Sequence, residues 1–421
     1  MNLRKAIMAT SLAALGWPLA ASATNGYFAH GYGVRSIGVA GVSIALPQDG
    51  LAAATNPAGT LSVGNRLDLG VHLFRPDRGA AIRGNTLPGG STADGDYSGN
   101  QTHNFLIPEL GYARQASPDL AWGVAVYGNG GMNTDYDRNP FAAFGSRGKA
   151  GIDLQQLFVT PSVAFRPAVG HSVGAALTFA YQRFAATGLS AFEGMTANPG
   201  SVSDRGHDSS TGLGVKLGWL GQVLPDLRLG ASWSSRIEMS EFDRYKGLFE
   251  GGGGFDIPAS YGLGLAWQAS PALTLAADWQ RIEYSSVKSV GNPIQRLFAG
   301  GALGSDGGAG FGWNDVSVVK LGAVYAYDDR LTLRAGASRV QQPVPASQAF
   351  FNILAPGVVR NHYSLGGSFK VASGGEWSLA YMYAPKVTVS GSGSIPGSFG
   401  GGEATLHMRE QMLSVGYSWA L

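Results

Sequence analysis

Two lysines are the residues of this chain best placed to do chemistry. Lys216 and Lys320 each stand in the middle of an otherwise uncharged segment, where an ammonium could anchor a carboxylate. The competing reading is an ion pair with Glu109 or Asp278, or a contact with another part of the chain. Arg166, Arg228, Arg334 and Lys370 fall on the corresponding face of their own segments. Hydrolysis would need a serine, a histidine and an acid at one rim. His103, His207 and Asp208 could contribute, but no GxSxG elbow or partner spacing supports them. There is no GxxxxGK[ST] loop, and the glycine runs sit in loops without a following helix, which is poor ground for a phosphate cradle. With no cysteine, neither a disulfide framework nor a thiolate metal site is available. The chain reads as a non-enzyme that needs no cofactor and no metal.

The segments that carry these residues share one pattern. In Met408–Leu421, residues Leu413, Val415, Tyr417, Trp419 and Leu421 alternate with Ser414, Gly416, Ser418 and Ala420. Leu213, Val215, Leu217 and Trp219 do the same against Gly214, Lys216 and Gly218. Period-2 alternation marks a strand with two unlike faces. A soluble sheet would put charge on the second face, but here that face is mostly Gly, Ala and Ser. Composition agrees. Only 14% of the 421 residues are charged and 64 are glycine, whereas soluble proteins carry about 25% charge and about 7% glycine. A hydrophobic content of 44% argues against disorder. A net charge of +2 is too small to suggest nucleic acid. Grease on one face and small groups on the other suit a membrane β-barrel.

Fourteen segments have this character, approximately 65–74, 104–115, 120–136, 153–166, 172–184, 212–223, 227–237, 258–268, 273–284, 316–327, 331–340, 362–371, 376–389 and 408–421. About 9–11 residues cross a bilayer as a tilted strand, and an even count suits a bacterial barrel. Short turns such as Leu224-Pro225-Asp226 alternate with long loops, as periplasmic turns and external loops do. Trp122, Trp219, Trp233, Trp267, Trp377 and Trp419 cluster near the short turns or the C-terminus, which an interfacial aromatic girdle predicts. Arg4 and Lys5, the apolar run Ala6–Leu19 and Ala21-Ser22-Ala23 form a signal peptide, residues 1–23. The expected organisation is all-β: a leader, an N-terminal segment 24–64 without alternation, and a 14-stranded antiparallel transmembrane barrel over 65–421. The expected location is the bacterial outer membrane.

Gly26-Tyr27-Phe28, Gly31-Tyr32-Gly33, Gly38-Val39-Ala40-Gly41-Val42, Asp49 and Ala52–Gly59 resemble the mature N-terminus of the FadL/TodX family of outer-membrane transporters for long-chain fatty acids and other hydrophobic compounds. The family's Asn-Pro-Ala triplet corresponds to Asn56, Pro57 and Ala58. The resemblance implies that residues 24–64 form a hatch plugging the lumen. It also implies that a kink in the third strand opens the wall sideways. Gly128, Asn129, Gly130 and Gly131 interrupt that strand here, and glycines within a strand mark a bulge or bend. Phe141, Phe144, Leu248, Phe249, Leu297 and Phe298 lie in external loops, where apolar side chains offer a capture surface. The function implied is passive uptake of a fatty acid, alkane or aromatic hydrocarbon: capture outside, transfer to a luminal pocket, then lateral release into outer-membrane lipid by a monomer. The alternative is a non-specific porin or structural surface barrel.

Overall fold

A computed structural model describes residues 25–372 and 374–421, so the expected signal peptide lies outside the described residues. Fifteen strands follow one another: β1 (Arg66–Arg83), β2 (Gly95–Ser98), β3 (Phe105–Ser117), β4 (Leu120–Asp135), β5 (Gly151–Ala168), β6 (His171–Thr187), β7 (Asp208–Leu224), β8 (Leu227–Ser234), β9 (Ser260–Ser270), β10 (Leu273–Ile282), β11 (Val316–Ala326), β12 (Leu331–Val340), β13 (Asn361–Lys370), β14 (Gly375–Ser390) and β15 (Glu403–Ala420). β15 pairs with β1 from Arg66↔Ala420 to Arg83↔Glu403, so fourteen antiparallel strands close into a ring. β2 is an extra strand on the upper end of β1.

The alternation decides the two faces. Leu213, Leu263 and Leu365 are 55%, 59% and 66% exposed on the outside, which is tolerable only in lipid. Their neighbours Gly, Ala and Ser face inward. Trp122, Trp267, Trp377 and Trp419 stand on the outer face beside the short turns, Trp233 stands on the outer face near the upper end of β8 instead, and Trp219 stacks on His171. Several strands differ from the sequence expectation at their upper ends, β7 for example beginning at Asp208 and not at 212. β1 runs on to Arg83 and β15 begins at Glu403, because each continues to pair with the other above the point where alternation fades. β8 stops at Ser234, short of the expected residue 237. Of the charges expected to face inward, Arg166 instead sits exposed at the rim near Asp119, at 3.7 Å. Lys370, also exposed, donates to the Asp329 carbonyl.

The N-terminal segment consists of short helices at Val34–Ile37 and Ala52–Thr55 and a 3₁₀ run at Pro57–Ser62. Its residues are almost all buried against inward-facing groups of the strands. Asn56 fixes one end of it. Its Oδ1 accepts from Ala58 N at 3.1 Å, and its Nδ2 donates to the carbonyls of Ile44 (2.8 Å) and Trp219 (3.0 Å). Pro57 then opens the 3₁₀ turn with its fixed φ. The backbone approach needs glycine on the wall: a Cβ at Gly218 would lie 1.9 Å from Asn56 Oδ1. Gly218→Ala should therefore weaken docking of the segment by about 1–3 kcal/mol. Hydrogen exchange should speed up in residues 44–62 while the strands stay protected; unchanged protection there would contradict this packing.

Candidate functional site: a wall gap, a chamber and an outer pocket

The wall is incomplete at one seam. β3 and β4 pair from Ser117↔Leu120 up to Leu110↔Val126 and no higher. Above that height β3 pairs with β1 and β4 with β5, and the far side of β4 is met again by this part of the wall only near its tip, where Asp135 N donates to Gly99 O and Asp135 O accepts from Gln101 N, each at 3.1 Å. In β4, Gly128 faces Leu157 and Gly130 faces Gln156, so Asn129 is an extra, unpaired residue. This is a β-bulge at the four residues singled out in the sequence. Arg78 frames the top of the gap, donating to Asn133 O (2.8 Å), Asn133 Oδ1 (2.6 Å) and Thr102 O (2.7 Å).

The N-terminal segment supplies the missing partner. Ala29 N donates to Asn129 O at 2.7 Å, and Gly131 N donates to Tyr27 O at 2.9 Å. The Asn129 side chain donates to Gln156 Oε1 (2.9 Å) and accepts from the Tyr32 hydroxyl (2.9 Å). Gly130 is required by this contact, since a Cβ there would lie 1.7 Å from Tyr27 O. A Cβ at Gly128 instead has Ile107 Cγ2 as its nearest neighbour, at 3.0 Å, across the gap. Glycine spacing flagged the bulge, but nothing in the sequence signalled that residues 27–29 would lie along its edge.

Lys216 and Lys320 both border a narrow chamber between the N-terminal segment and strands β6–β11. Each ammonium is held by carbonyls of that segment. Lys216 donates to the Ala54 carbonyl and stands 5.8 Å over the Tyr127 ring. Lys320 donates to His30 O (3.1 Å) and Gly41 O (3.2 Å). Glu109 pairs with His72 at 2.9 Å and accepts from Gly33 N at 2.9 Å. Asp278 accepts from Ser43 N (2.7 Å) and Ile44 N (3.0 Å). Among the described residues, neither lysine has a carboxylate at ion-pair distance. Burial, then the charges of His362 and Lys320, hold the His30 imidazole well below its usual range, so it stays neutral.

The middle of the segment, from Arg35 to Gly50, is tied by charge. Arg35 meets Glu376 at 2.9 Å and donates to Gln48 O at 2.7 Å and Ser418 Oγ at 3.1 Å. Asp68 accepts from Gly50 N at 2.8 Å and from Arg66 at 2.7 Å. Arg334 donates to Gln48 Oε1 at 2.8 Å. Burial, then the neighbouring Asp68 charge, push the Asp49 carboxyl up to about 7, against Arg35 and Arg66. A raised carboxyl pKa favours docking fully below the ordinary value of 3.8 and loses that contribution as pH rises through about 7. Proteolysis of the 47–55 stretch should thus be faster at about pH 8 than at about pH 6. Asp49→Asn should abolish the difference; a dependence that survives it would contradict this assignment.

The outer loops and the upper end of β6 frame a small apolar pocket. Phe141, Leu248 and Phe249 line it together with Phe184, Phe192 and Phe351. Phe249 packs on Phe184 at 4.7 Å, and Phe141 meets Phe192 edge-on at 5.3 Å. Phe144 is one shell out, edge-on to Phe350 and Phe399 at 5.5 and 5.4 Å. Leu297 packs against the same cluster, while Phe298 is 42% exposed at its edge. Sequence reasoning missed Phe184, Phe192, Phe350, Phe351 and Phe399. Their signal was the density of Phe in nominally polar loops. His103 bonds Asn100 O, His207 bonds Asp153 at 2.9 Å, and Asp208 caps Arg244 N, so these three do not converge.

A closed, lipid-faced ring of fourteen strands with a filled lumen defines an outer-membrane transport barrel, not an enzyme. Residues 19–417 match the family model "Outer membrane protein transport protein (OMPP1/FadL/TodX)", and the chain belongs to that family of outer-membrane transporters of hydrophobic compounds. A long-chain fatty acid transport protein of Escherichia coli is 25% identical over 333 residues, spanning 70% of this chain and 73% of the relative. The fold is shared with a Pseudomonas aeruginosa FadL homologue, with a TM-score of 0.71, 17% identity, and 94% and 99% of the two chains covered. It is also shared with the Pseudomonas putida toluene transporter TodX, with a TM-score of 0.67, 18% identity, and 94% and 100% covered.

Proposed function

We propose that this chain takes up long-chain fatty acids or related hydrophobic compounds passively, with residues 24–64 acting as a hatch. Solute is captured in the Phe-lined outer pocket, moves to the chamber beside Phe28, and leaves sideways through the β3–β4 gap into outer-membrane lipid. The observation that carries this reading is the stretch of β4 above Val126 that no neighbouring strand pairs and that Tyr27–Ala29 cover at Asn129–Gly131. Two backbone hydrogen bonds are worth about 1–3 kcal/mol together. Burying an alkyl chain yields about 0.8 kcal/mol per CH₂, so a few methylenes suffice to displace the stopper. Sideways exit also spares an apolar solute a long aqueous path. Lys216 and Lys320 are the candidate anchors for a carboxylate head. The related fatty acid transporter and the toluene transporter of the same fold bracket the substrate class.

Gly128→Phe should fill the gap without striking the hatch backbone. Uptake of labelled hexadecanoate and of toluene by expressing cells should fall at least about tenfold, equivalent to about 1.4 kcal/mol, at unchanged barrel abundance. Undiminished uptake would rule out the lateral exit.

A further inference from the structure

The wall has a second break, across the chamber from β4. Ser235 N donates to Val215 O at 2.9 Å, but Val215 N is answered by the Ser235 hydroxyl at 3.0 Å in place of its carbonyl. With Ser235 turned to β7, Arg236 should face β9, where the residue in register is Pro258, which has no N–H to give. The β8–β9 ladder therefore ends at Ser234↔Ser260 and resumes only as the isolated bridge Ile237↔Ile257. Ser234 is the eighth residue of β8. At about 3.3 Å per residue and a tilt near 45°, it lies inside the apolar band of about 25 Å.

The chamber opens at this break. Its lining includes Ser235 and Pro258, and also Val215 and Tyr261, whose side chains are 40% and 39% exposed on the lipid face. The luminal approach is polar. Ser232, Ser234, Ser260 and Gln280 all face the chamber, and their side chains make no hydrogen bond to another described residue. Idle hydroxyls and an amide in an otherwise economical wall point to a ligand that donates and accepts. The pocket in the outer loops offers no such groups to a solute, because its Ser289 hydroxyl already accepts from Glu250 N and donates to Gly254 O.

We propose that the β8–β9 break is a second lateral port of the chamber, whose hydroxyl lining receives the oxygen-bearing head of a single-chain amphiphile. The ligand class rests on the transporter reading above; the port itself does not. The chain has no cysteine, so Ser234→Cys gives a single thiol at the port and Ala176→Cys one on the sealed inner wall. Both variants are reconstituted in vesicles and exposed to N-dodecylmaleimide dissolved in the lipid. The thiol of Ser234→Cys should react at least about tenfold faster than that of Ala176→Cys, since access governs the rate at matched pH. Adding 1-dodecanol should slow labelling at the port at least about threefold, while dodecane should not, because only the alcohol satisfies the idle hydroxyls. Combining Ser234→Cys with Pro258→Val, which restores an N–H to the ladder, should slow labelling of the port thiol. Equal rates in the two single variants would overturn the port, and equal competition by dodecane would overturn the head-group lining. Fast labelling of Ser234→Cys in a protein that takes up no hydrophobic compound would sustain the port and sink the transporter reading instead.

Discussion

Hydrocarbon offers no hydrogen bonds, so each backbone N–H and C=O at membrane depth must be answered by the protein itself. A ring of strands meets that demand wherever neighbours are in register, and β15–β1 closes the last edge over eighteen residue pairs. The demand becomes informative where the ladder fails. On β4 the edge above Val126 has no strand beside it, and the N-terminal segment takes the position a strand would have held. There two backbone hydrogen bonds stand where a full ladder would stand elsewhere, which is the basis of the proposal that this contact can open.

The N-terminal segment is fastened unequally. From residue 35 to residue 56 it is tied by Arg35, Asp68, Arg334 and Asn56, in buried contacts that would be costly to leave unpaired. Toward residue 25 it is held at the wall gap by backbone contacts and by packing of Tyr27 and Phe28 on Tyr284. Lys216 donates to the Ala54 carbonyl within the tied stretch, and Lys320 to the carbonyls of His30 and Gly41. An anionic solute reaching either ammonium would compete with those carbonyls, which couples ligand binding to the position of the stopper.

Much of the barrel could be read from the sequence, for a simple reason. Alternation between lipid-facing Leu, Val, Tyr or Trp and inward Gly, Ala or Ser is imposed by the two solvents of the wall, so residues such as Leu213–Trp219 carry it openly. What could not be read is contact between distant segments. The upper half of β1 carries Arg75, Asp77 and Arg78 where lipid no longer constrains it, and alternation gave no reason to extend the strand. The early end of β8 depends on Pro258, which is distant in sequence but adjacent in register. Glu109 and Asp278 looked like partners for the lysines, yet they answer His72 and backbone N–H groups of the N-terminal segment. A carbonyl acceptor leaves no residue-type signature, so those contacts had to be seen.

The central claim is that the lumen is closed by its own N-terminal segment and that solutes leave through the wall. Single-channel recording in planar bilayers tests this most directly. The intact protein should carry no steady ionic current, since residues 25–62 fill the ring, whereas a general porin of this size would conduct continuously. A stable open-channel current from the intact protein would contradict the account.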